Sequence, residues 1–243
     1  MMSKYFLLPH YDDEILMLPL FDSKKKNFLI YLTNGISRSK NDEFEMERFR
    51  EAIGNLRTQL KNFQVEIICL GKQLQIYEGQ LHNHLHQVDN DPTLSSILKN
   101  AQREDVLVTT TFEGAHQDHD AASILSRKYA TKFGINLVEV STYPQVLKGI
   151  YLFSVMRPRQ RLSQIPFRRL RTASLALNLM IGYRTQRRTW LGLGFQTLFS
   201  YLFLEFFTSK PINLRIIEKC FYEFRRREEQ SEVFQKLSKW STS

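Results

Sequence analysis

Short apolar runs alternate with longer segments of helical periodicity through roughly the first 145 residues of this 243-residue chain. This alternation is typical of a parallel sheet whose strands are joined by helices that cover both faces. The predicted strands are Tyr5–Leu8, Phe28–Thr33, Val65–Leu70, Val106–Thr110 and Leu137–Val140, and the predicted helices are Asp42–Leu60, Pro92–Gln102 and Asp118–Phe133. The sequence therefore predicts an α/β fold, a Rossmann-like three-layer sandwich with a mostly parallel sheet.

Two polar motifs follow the first and the fourth predicted strands. The first reads Pro-His-Tyr-Asp-Asp-Glu from Pro9 to Glu14, and the second reads His-Gln-Asp-His from His116 to His119. Ligands of open α/β sheets bind beyond the carboxyl ends of the strands, so both motifs are expected at a binding edge. Catalytic zinc sites combine three nitrogen or oxygen ligands with an open position for water. The two motifs together therefore indicate a metallohydrolase.

The spacing of the motifs suggests how the work is divided. His10 and Asp13, three residues apart in a tight turn, can converge on one metal ion and leave Asp12 free to face a water molecule. His119 can complete the ligand set from the second motif. His116, one helical turn earlier, is then left to meet the carbonyl of a bound substrate.

The residues also resemble a known family. Pro-His-Xaa-Asp-Asp-Glu followed by Gly-Ala-His-Xaa-Asp-His is similar to the motifs of the LmbE/PIG-L family of zinc-dependent N-acetylglucosaminyl deacetylases. The resemblance covers the chain to about residue 145 and thins after it. Further similarities are Thr33-Asn34-Gly35 (with Asn34 where the family usually has Asp), Arg48 and Glu51 in Arg-x-x-Glu, Glu78-Gly79 where Asp-Gly is common, and the late segment Tyr183-Arg184-Thr185-Gln186.

The resemblance implies one zinc ion per chain, bound by His10, Asp13 and His119, and hydrolysis of an amide by metal-bound water. It implies that Asp12 is the general base, since a carboxylate beside a dication stays ionised and can accept the proton of the water. The implied substrate is an N-acetylated amino-sugar conjugate of the N-acetylglucosamine type, from which acetate is released.

The resemblance also implies roles around the metal. His116 would hold the oxyanion as an imidazolium, and Asp118 would orient that histidine and keep it protonated. Arg48 and Glu78 are the implied substrate-binding residues, although an ion pair on the surface of a helix is an alternative for Arg48. Glu14 receives no chemical role and is expected to brace the turn.

Three alternatives remain open at this stage. The chain is alternatively a non-catalytic sugar-binding or membrane-associated scaffold with the same fold. It is alternatively a hydrolase that acts on another amide at the same metal site. Finally, the segment His82–His86 carries three histidines at alternate positions. An extended segment would place them on one side as a competing metal site, but no carboxylate base adjoins them, and a solvated surface or the rim of the substrate pocket is favoured.

The net charge of +9 comes from one segment. This segment contains nine of the 34 basic residues, and the remaining 25 are balanced by the 25 acidic residues of the chain. Because the excess charge is confined to one segment, nucleic acid is not favoured as a partner. The segment from Arg157 to Arg188 is instead a candidate contact for an anionic membrane surface, with a solvated basic face as the alternative. Its nine arginines, with no acidic residue or lysine between Tyr151 and Trp190, are Arg157, Arg159, Arg161, Arg168, Arg169, Arg171, Arg184, Arg187 and Arg188.

The sequence predicts one domain, 1–243, in which an α/β core (1–145) with the metal site is completed by an arginine-rich, mainly helical extension (146–243). The apolar run Trp190–Phe207 approaches the length of a membrane span, but Gln196 and Glu205 favour a core or interface helix. Two distant cysteines exclude a disulfide framework. The short apolar start predicts no signal peptide and a cytoplasmic location, with peripheral binding at the inner membrane surface as the alternative. The sequence predicts no oligomeric state.

Overall fold

A computed structural model of the chain describes residues 2–36, 42–114, 116–142, 145–147, 150–151, 163–208 and 229–242. The main strands are β1 (Ser3–Leu8), β2 (Lys26–Tyr31), β3 (Gln64–Cys69), β4 (Val106–Thr110) and β5 (Asn136–Val140). The helices are α1 (Asp42–Gln59), α2 (Leu70–Gln73), α3 (Leu85–Asn90), α4 (Pro92–Lys99), α5 (Gln117–Phe133), α6 (Arg169–Gly182), α7 (Arg187–Phe203) and α8 (Glu229–Thr242). Short 3-10 helices span Asp13–Leu20, Leu81–Asn83 and Arg184–Gln186.

The five main strands form one parallel sheet in the order β3-β2-β1-β4-β5. The strand order reverses between β1 and β4, because β2 lies on one side of β1 and β4 on the other. This is the point at which open α/β sheets open a crevice for ligands. The predicted α/β fold with a parallel sheet is confirmed, and both polar motifs leave the sheet at this crevice.

The side chains of β1 show how the sheet is buried on both faces. Tyr5 and Leu7 belong to the core beneath α5 and α8, whereas Phe6 and Leu8 belong to the core beneath α1, α6 and α7. Successive side chains of a strand point to opposite faces, so a strand buried on both sides must be apolar throughout. The apolar run from Tyr5 to Leu8 reflects this double burial.

The helical C-terminal extension is confirmed by α6, α7 and α8. Helices α6 and α7 pack against each other, and α6 packs on α1, while α8 packs on α5. Two small antiparallel pairs accompany them: β6 (Gln145–Leu147) with β7 (Ile150–Tyr151), and β8 (Ser163–Ile165) with β9 (Phe206–Thr208). Among the described helices, none is both long and apolar enough to cross a membrane.

The predictions for the extension fall partly outside the described residues. The predicted helix Trp190–Phe207 corresponds to α7, which begins earlier at Arg187 and ends at Phe203, because Phe206 and Phe207 pair with β8 as part of strand β9. The arginines at 157, 159 and 161 lie outside the described residues, as does most of the tail that begins at Ile212. The 3-10 helix Asp13–Leu20 was not predicted, and it buries most of its side chains between the sheet and α6.

Candidate metal centre

The turn after β1 is shaped by Asp13. The backbone N–H of His10 donates to Oδ2 of Asp13 (2.8 Å), which closes the turn with the side chain that the sequence assigns to the metal. Thr33, at the end of the neighbouring strand, donates its hydroxyl to the carbonyl of Pro9 (2.6 Å). The loop that carries the first motif is therefore fixed at both of its ends.

The second motif lies at the start of α5. His116 is the N-cap of this helix, and its Nδ1 accepts the backbone N–H of Asp118 (3.3 Å). The buried carboxylate of Asp120 accepts the N–H groups of Glu113 (2.8 Å) and Gly114 (3.0 Å), which holds the preceding loop against the helix. His119 consequently enters the crevice from the first turn of α5.

The three residues predicted to bind zinc meet at one point. Nδ1 of His10 and Nε2 of His119 lie 3.3 Å apart. Each nitrogen also approaches the carboxylate of Asp13: Nδ1 of His10 lies 3.2 Å from Oδ2, and Nε2 of His119 lies 3.3 Å from Oδ1. Ligand atoms about 2.0–2.1 Å from a tetrahedral zinc ion lie about 3.3 Å from one another. The spacing of these side chains fits a tetrahedral zinc site.

The outer ring nitrogens of both histidines are held by hydrogen bonds. Nε2 of His10 lies 3.1 Å from Oδ2 of Asp118, and because a buried carboxylate accepts, this nitrogen carries the proton. The hydroxyl of Thr142 lies 3.0 Å from Nδ1 of His119 and donates to Glu113 (3.4 Å), so it accepts the Nδ1 proton. Such partners fix the tautomer of metal-binding histidines and leave the other nitrogen free to bind.

The carboxylate of Asp118 has a different partner from the one that the family resemblance implied. It accepts hydrogen bonds from His10, from the N–H of Gly79 (2.5 Å) and from the N–H of Leu81 (3.0 Å). The hydrogen bond between Asp118 and His116 is instead donated by the backbone N–H of Asp118 to Nδ1 of His116. In this structure the Asp118 carboxylate therefore positions His10, a predicted metal ligand, whereas the family resemblance implied that it orients the assisting histidine His116.

Neighbouring charges shift the pKa values of His10 and Asp13 in opposite directions. Burial lowers the pKa of His10, but the carboxylates of Asp13 and Asp118 outweigh it and raise that pKa well above its usual range. Burial raises the pKa of Asp13, but His119 and His10 outweigh it and hold that pKa well below its usual range. Without a metal, the site therefore pairs a protonated His10 with an ionised Asp13.

His116 lies beside the same point. The ligand atoms of His10, His116 and His119 all lie within 4.8 Å of one another, so His116 is a further candidate ligand. Burial and the two neighbouring histidines lower the pKa of His116 to about 3. The expected imidazolium is thus not supported here. Because Nδ1 accepts a backbone N–H, the neutral ring offers the N–H of Nε2 as a donor.

A small cavity of about 170 Å³ opens over this centre. Asp12 lines it, and burial, only partly offset by Arg48, raises the pKa of Asp12 to about 6. The cavity therefore holds a carboxylate with a near-neutral pKa next to a candidate metal site, as general base catalysis requires. The other lining residues are His10, Asp13, Leu16, Arg48, Glu78, His116, Gln186, Thr189, Trp190 and Leu193.

Comparison with known proteins gives no match in sequence: no protein-family model and no curated protein matches the chain. Solved structures do match. A triple mutant of a deacetylase of the teicoplanin biosynthetic pathway aligns with a TM-score of 0.57 at 15% identity, over 82% of this chain and 89% of its own. The A40926 pseudoaglycone deacetylase Dbv21 aligns with a TM-score of 0.56 at 16% identity, over 85% and 95%. N,N'-diacetylchitobiose deacetylase from Pyrococcus horikoshii aligns with a TM-score of 0.57 at 13% identity, over 91% and 88%.

The chain has the fold of these deacetylases. The resemblance to LmbE/PIG-L deacetylases seen in the motifs is thereby confirmed at the level of the fold, although identities are low. One of the matching structures is the zinc-inhibited form of teicoplanin deacetylase Orf2, with a TM-score of 0.57 at 13% identity over 82% of this chain and 90% of its own.

The two implied substrate-binding residues form an ion pair at the cavity. The guanidinium of Arg48 lies 2.8 Å from Oε1 of Glu78, and the side chain of Arg48 is buried. Arg48 belongs to α1, so the pair links that helix to the loop after β3. With its side-chain amide oriented to match its neighbours, Gln186 accepts from the same guanidinium. Arg48 is therefore a fixed part of the cavity wall and not a mobile surface residue.

The late segment Tyr183–Gln186 is bound to this wall. Thr185 donates its backbone N–H (3.0 Å) and its hydroxyl (2.7 Å) to Glu51, one turn after Arg48 on α1. Tyr183 donates its hydroxyl to Glu14 (2.7 Å), and Tyr31 donates to the same carboxylate (2.9 Å). The expectation that Glu14 braces the turn is confirmed by these contacts.

The histidine-rich segment does not form the competing site. It is not extended: His82 lies in a 3-10 helix and His86 in α3, and both line a second cavity beside α8. Among the described residues, the histidines that cluster as candidate metal ligands are those of the two motifs. The lower pKa of His82, caused by its burial, also indicates a neutral ring inside the protein.

Sequence reasoning missed Thr142 and Glu113. Glu113 lies three residues before the second motif and Thr142 two residues after β5, so both stand shortly after predicted strand ends. This position after the strand ends was the sequence signal that could have identified them as residues of the site. Their partnership with His119 depends on the neighbouring strands β4 and β5 and is not visible in the sequence.

Proposed function

We propose that this protein is a zinc-dependent deacetylase that removes the N-acetyl group from an N-acetylglucosamine-type sugar conjugate. The observation that carries the proposal is the triangle of His10, Asp13 and His119, whose spacing fits zinc: Nδ1 of His10 and Nε2 of His119 both face the carboxylate of Asp13. The matching structures support it, because they are deacetylases, one of which acts on diacetylchitobiose by name.

The reaction divides between the metal and the side chains around it. When bound, zinc supplies a Lewis acid that lowers the pKa of water to about 7 and polarises a carbonyl. Asp12 takes the proton of the attacking water and passes it to the leaving amine. In the metal-free protein burial raises the pKa of Asp12 to about 6, and a zinc ion beside it would lower that pKa, so the carboxylate is ionised and able to accept the proton near neutral pH.

His116 stabilises the developing oxyanion. As a neutral ring it donates the N–H of Nε2 to the oxygen that was the acetyl carbonyl. Arg48 and Glu78 stand at the cavity, where their donors and acceptors suit the hydroxyl groups of a sugar. The cavity of about 170 Å³ accommodates an acetamido group and little more, so the rest of the conjugate extends outward.

The proposal is tested by acetate release from a panel of N-acetylglucosamine conjugates: free, nucleotide-linked, inositol-linked and polyprenyl-linked. The zinc-loaded wild type should release acetate from at least one of them. Asp12→Asn should keep zinc and lose about 10²–10⁴-fold in turnover, the usual size of a general-base effect. His10→Ala should lose zinc as well as activity.

His84→Ala is the matched control, since it removes an imidazole from outside the cavity. It should retain both metal and turnover. A wild type that binds no stoichiometric zinc would contradict the proposed chemistry. A wild type that binds zinc and sugar but releases no acetate would favour the non-catalytic scaffold, and release of a different acyl group would favour another amide.

A further inference from the structure

Helix α7 carries large apolar side chains on its outer side as well as on its inner side. Trp190, Gly194, Thr197, Ser200 and Tyr201 face the interior. The opposite side presents a leucine and three phenylalanines at intervals of four residues, which are between 46% and 82% exposed: Leu191, Phe195, Phe199 and Phe203. A helix on the surface of a water-soluble protein normally carries polar residues on its outer side.

The three phenylalanines form a continuous strip along the helix. The ring centroids of Phe195 and Phe199 lie 6.4 Å apart, and those of Phe199 and Phe203 lie 5.0 Å apart. Helix α6 packs against α7 and exposes three more apolar side chains. We call this surface the α6–α7 face; it consists of Leu170, Leu177, Ile181, Leu191, Phe195, Phe199 and Phe203.

Exposed arginines stand at both ends of the α6–α7 face, although Arg184 and Arg187 also line a groove with Glu43, Glu47 and Glu51 of α1. Arg168 and Arg171 are exposed at the start of α6, and three exposed arginines stand where α6 turns into α7. From Arg168 to Leu204 the chain contains six arginines and no acidic residue or lysine. The three at the turn are Arg184, Arg187 and Arg188.

We propose that the α6–α7 face docks on the surface of an anionic lipid bilayer. An apolar strip flanked by arginines matches such a surface, because the rings enter the boundary of the acyl chains while the guanidinium groups meet the lipid phosphates. A second copy of the chain matches it poorly. A two-fold interface places the same patch on both sides, so the flanking arginines of one copy would meet those of the other.

Docking in this way has a consequence for the cavity, which rests on the function proposed above. Thr189, Trp190 and Leu193 line the cavity and lie on the same turns of α7 as Leu191 and Phe195. A bilayer in contact with the α6–α7 face is therefore next to the cavity wall.

The docking is tested by sedimentation of the full chain with vesicles of phosphatidylcholine, with and without phosphatidylglycerol. The wild type should bind the anionic vesicles and bind the neutral ones far more weakly. The variant Arg184→Gln/Arg187→Gln/Arg188→Gln should lose on the order of a hundredfold in partitioning, since each basic residue near such a surface contributes about fivefold. The variant Leu191→Ser/Phe195→Ser/Phe199→Ser should lose at least as much.

A charge-matched control is Lys99→Gln/Arg103→Gln/Lys132→Gln, which removes three exposed positive charges from α4, α5 and the loop between α4 and β4. It should bind within about threefold of the wild type, because its charges lie off the docking face. Far-UV circular dichroism and the unfolding midpoint confirm that each variant is folded.

Three results would overturn the proposal: no binding of the wild type to anionic vesicles, equal losses in the control and in the arginine variant, or full binding by the serine variant. A wild-type dimer that the serine variant converts to a monomer would also overturn it, in favour of a second copy as the occupant. Vesicle binding is measured without substrate, so this proposal can fail while acetate release persists, and the reverse.

Discussion

At the scale of single residues, two hydrogen bonds decide which nitrogen each histidine offers to a metal. The carboxylate of Asp118 accepts a hydrogen bond from Nε2 of His10, and the hydroxyl of Thr142 accepts one from Nδ1 of His119. The spacing of the motifs predicted the side chains that converge. It did not predict these outer partners, because Asp118 is brought to His10 and Thr142 to His119 by strands that are distant in sequence.

Replacing Thr142 tests this arrangement. Thr142→Val keeps the shape of the side chain and removes the oxygen that accepts from His119, so zinc affinity should fall about 10–100-fold. Competition with a chelator of known affinity measures the change. Thr142→Ser restores the hydroxyl and should recover most of the affinity, and equal affinities for the valine and serine variants would contradict the role of the hydroxyl.

Metal uptake should release protons near neutral pH. The raised pKa of His10 means that its Nδ1 is protonated and donates to Asp13 in the metal-free protein, and zinc must displace that proton. Below the raised pKa, zinc affinity should therefore fall by about tenfold per pH unit. Calorimetric titrations with zinc in buffers of different ionisation enthalpy should give about one proton released per ion, and no buffer dependence would contradict this.

At the scale of elements, the strands and long helices of the core follow the predicted positions closely. The strands are short apolar runs, and the helices repeat apolar residues every three or four positions. In both cases the local sequence pattern agrees with the side chains that the fold buries. The short elements around the site were not predicted. The 3-10 helix Asp13–Leu20 and the helices α2 and α3 are too brief for a periodic signal, and their form is set by packing against the sheet.

Two glycines give a matched test of how the elements pack. A Cβ added at Gly71 in α2 would lie 2.3 Å from backbone atoms of Thr33, after β2, whereas one at Gly54 in α1 meets nothing within 4 Å. Gly71→Ala should lower the free energy of unfolding by about 1–3 kcal/mol or more. Gly54→Ala should raise it by up to about 1 kcal/mol. Chemical denaturation measures both, and a neutral Gly71→Ala would show that α2 shifts freely.

At the scale of the whole molecule, the sheet order would make a bound metal a link between distant loops. The candidate ligands come from the loop after β1 and from α5, which follows β4, and these are adjacent only because β1 and β4 are neighbours. A ligand that binds the folded state alone stabilises it, by about 2.7 kcal/mol at a concentration one hundred times its dissociation constant.

Removing zinc with a chelator should therefore lower the unfolding midpoint by about 5–10 °C for a chain of this size. Differential scanning calorimetry measures the shift. His10→Ala should show no response to the chelator, because it lacks a ligand. A wild type whose midpoint is unchanged by chelation would contradict a metal bridge between these loops.

The sequence by itself determined the fold class and the chemical groups of the site, because strand and helix periods and the two polar motifs are local properties of the chain. The tertiary structure decided what those groups touch. Asp118 supports His10, and the late residue Gln186 meets Arg48 of α1. Only the folded chain also shows that α7 leaves its phenylalanines outside. These features arise from contacts between residues far apart in sequence, where burial is set by neighbouring elements and not by the local pattern.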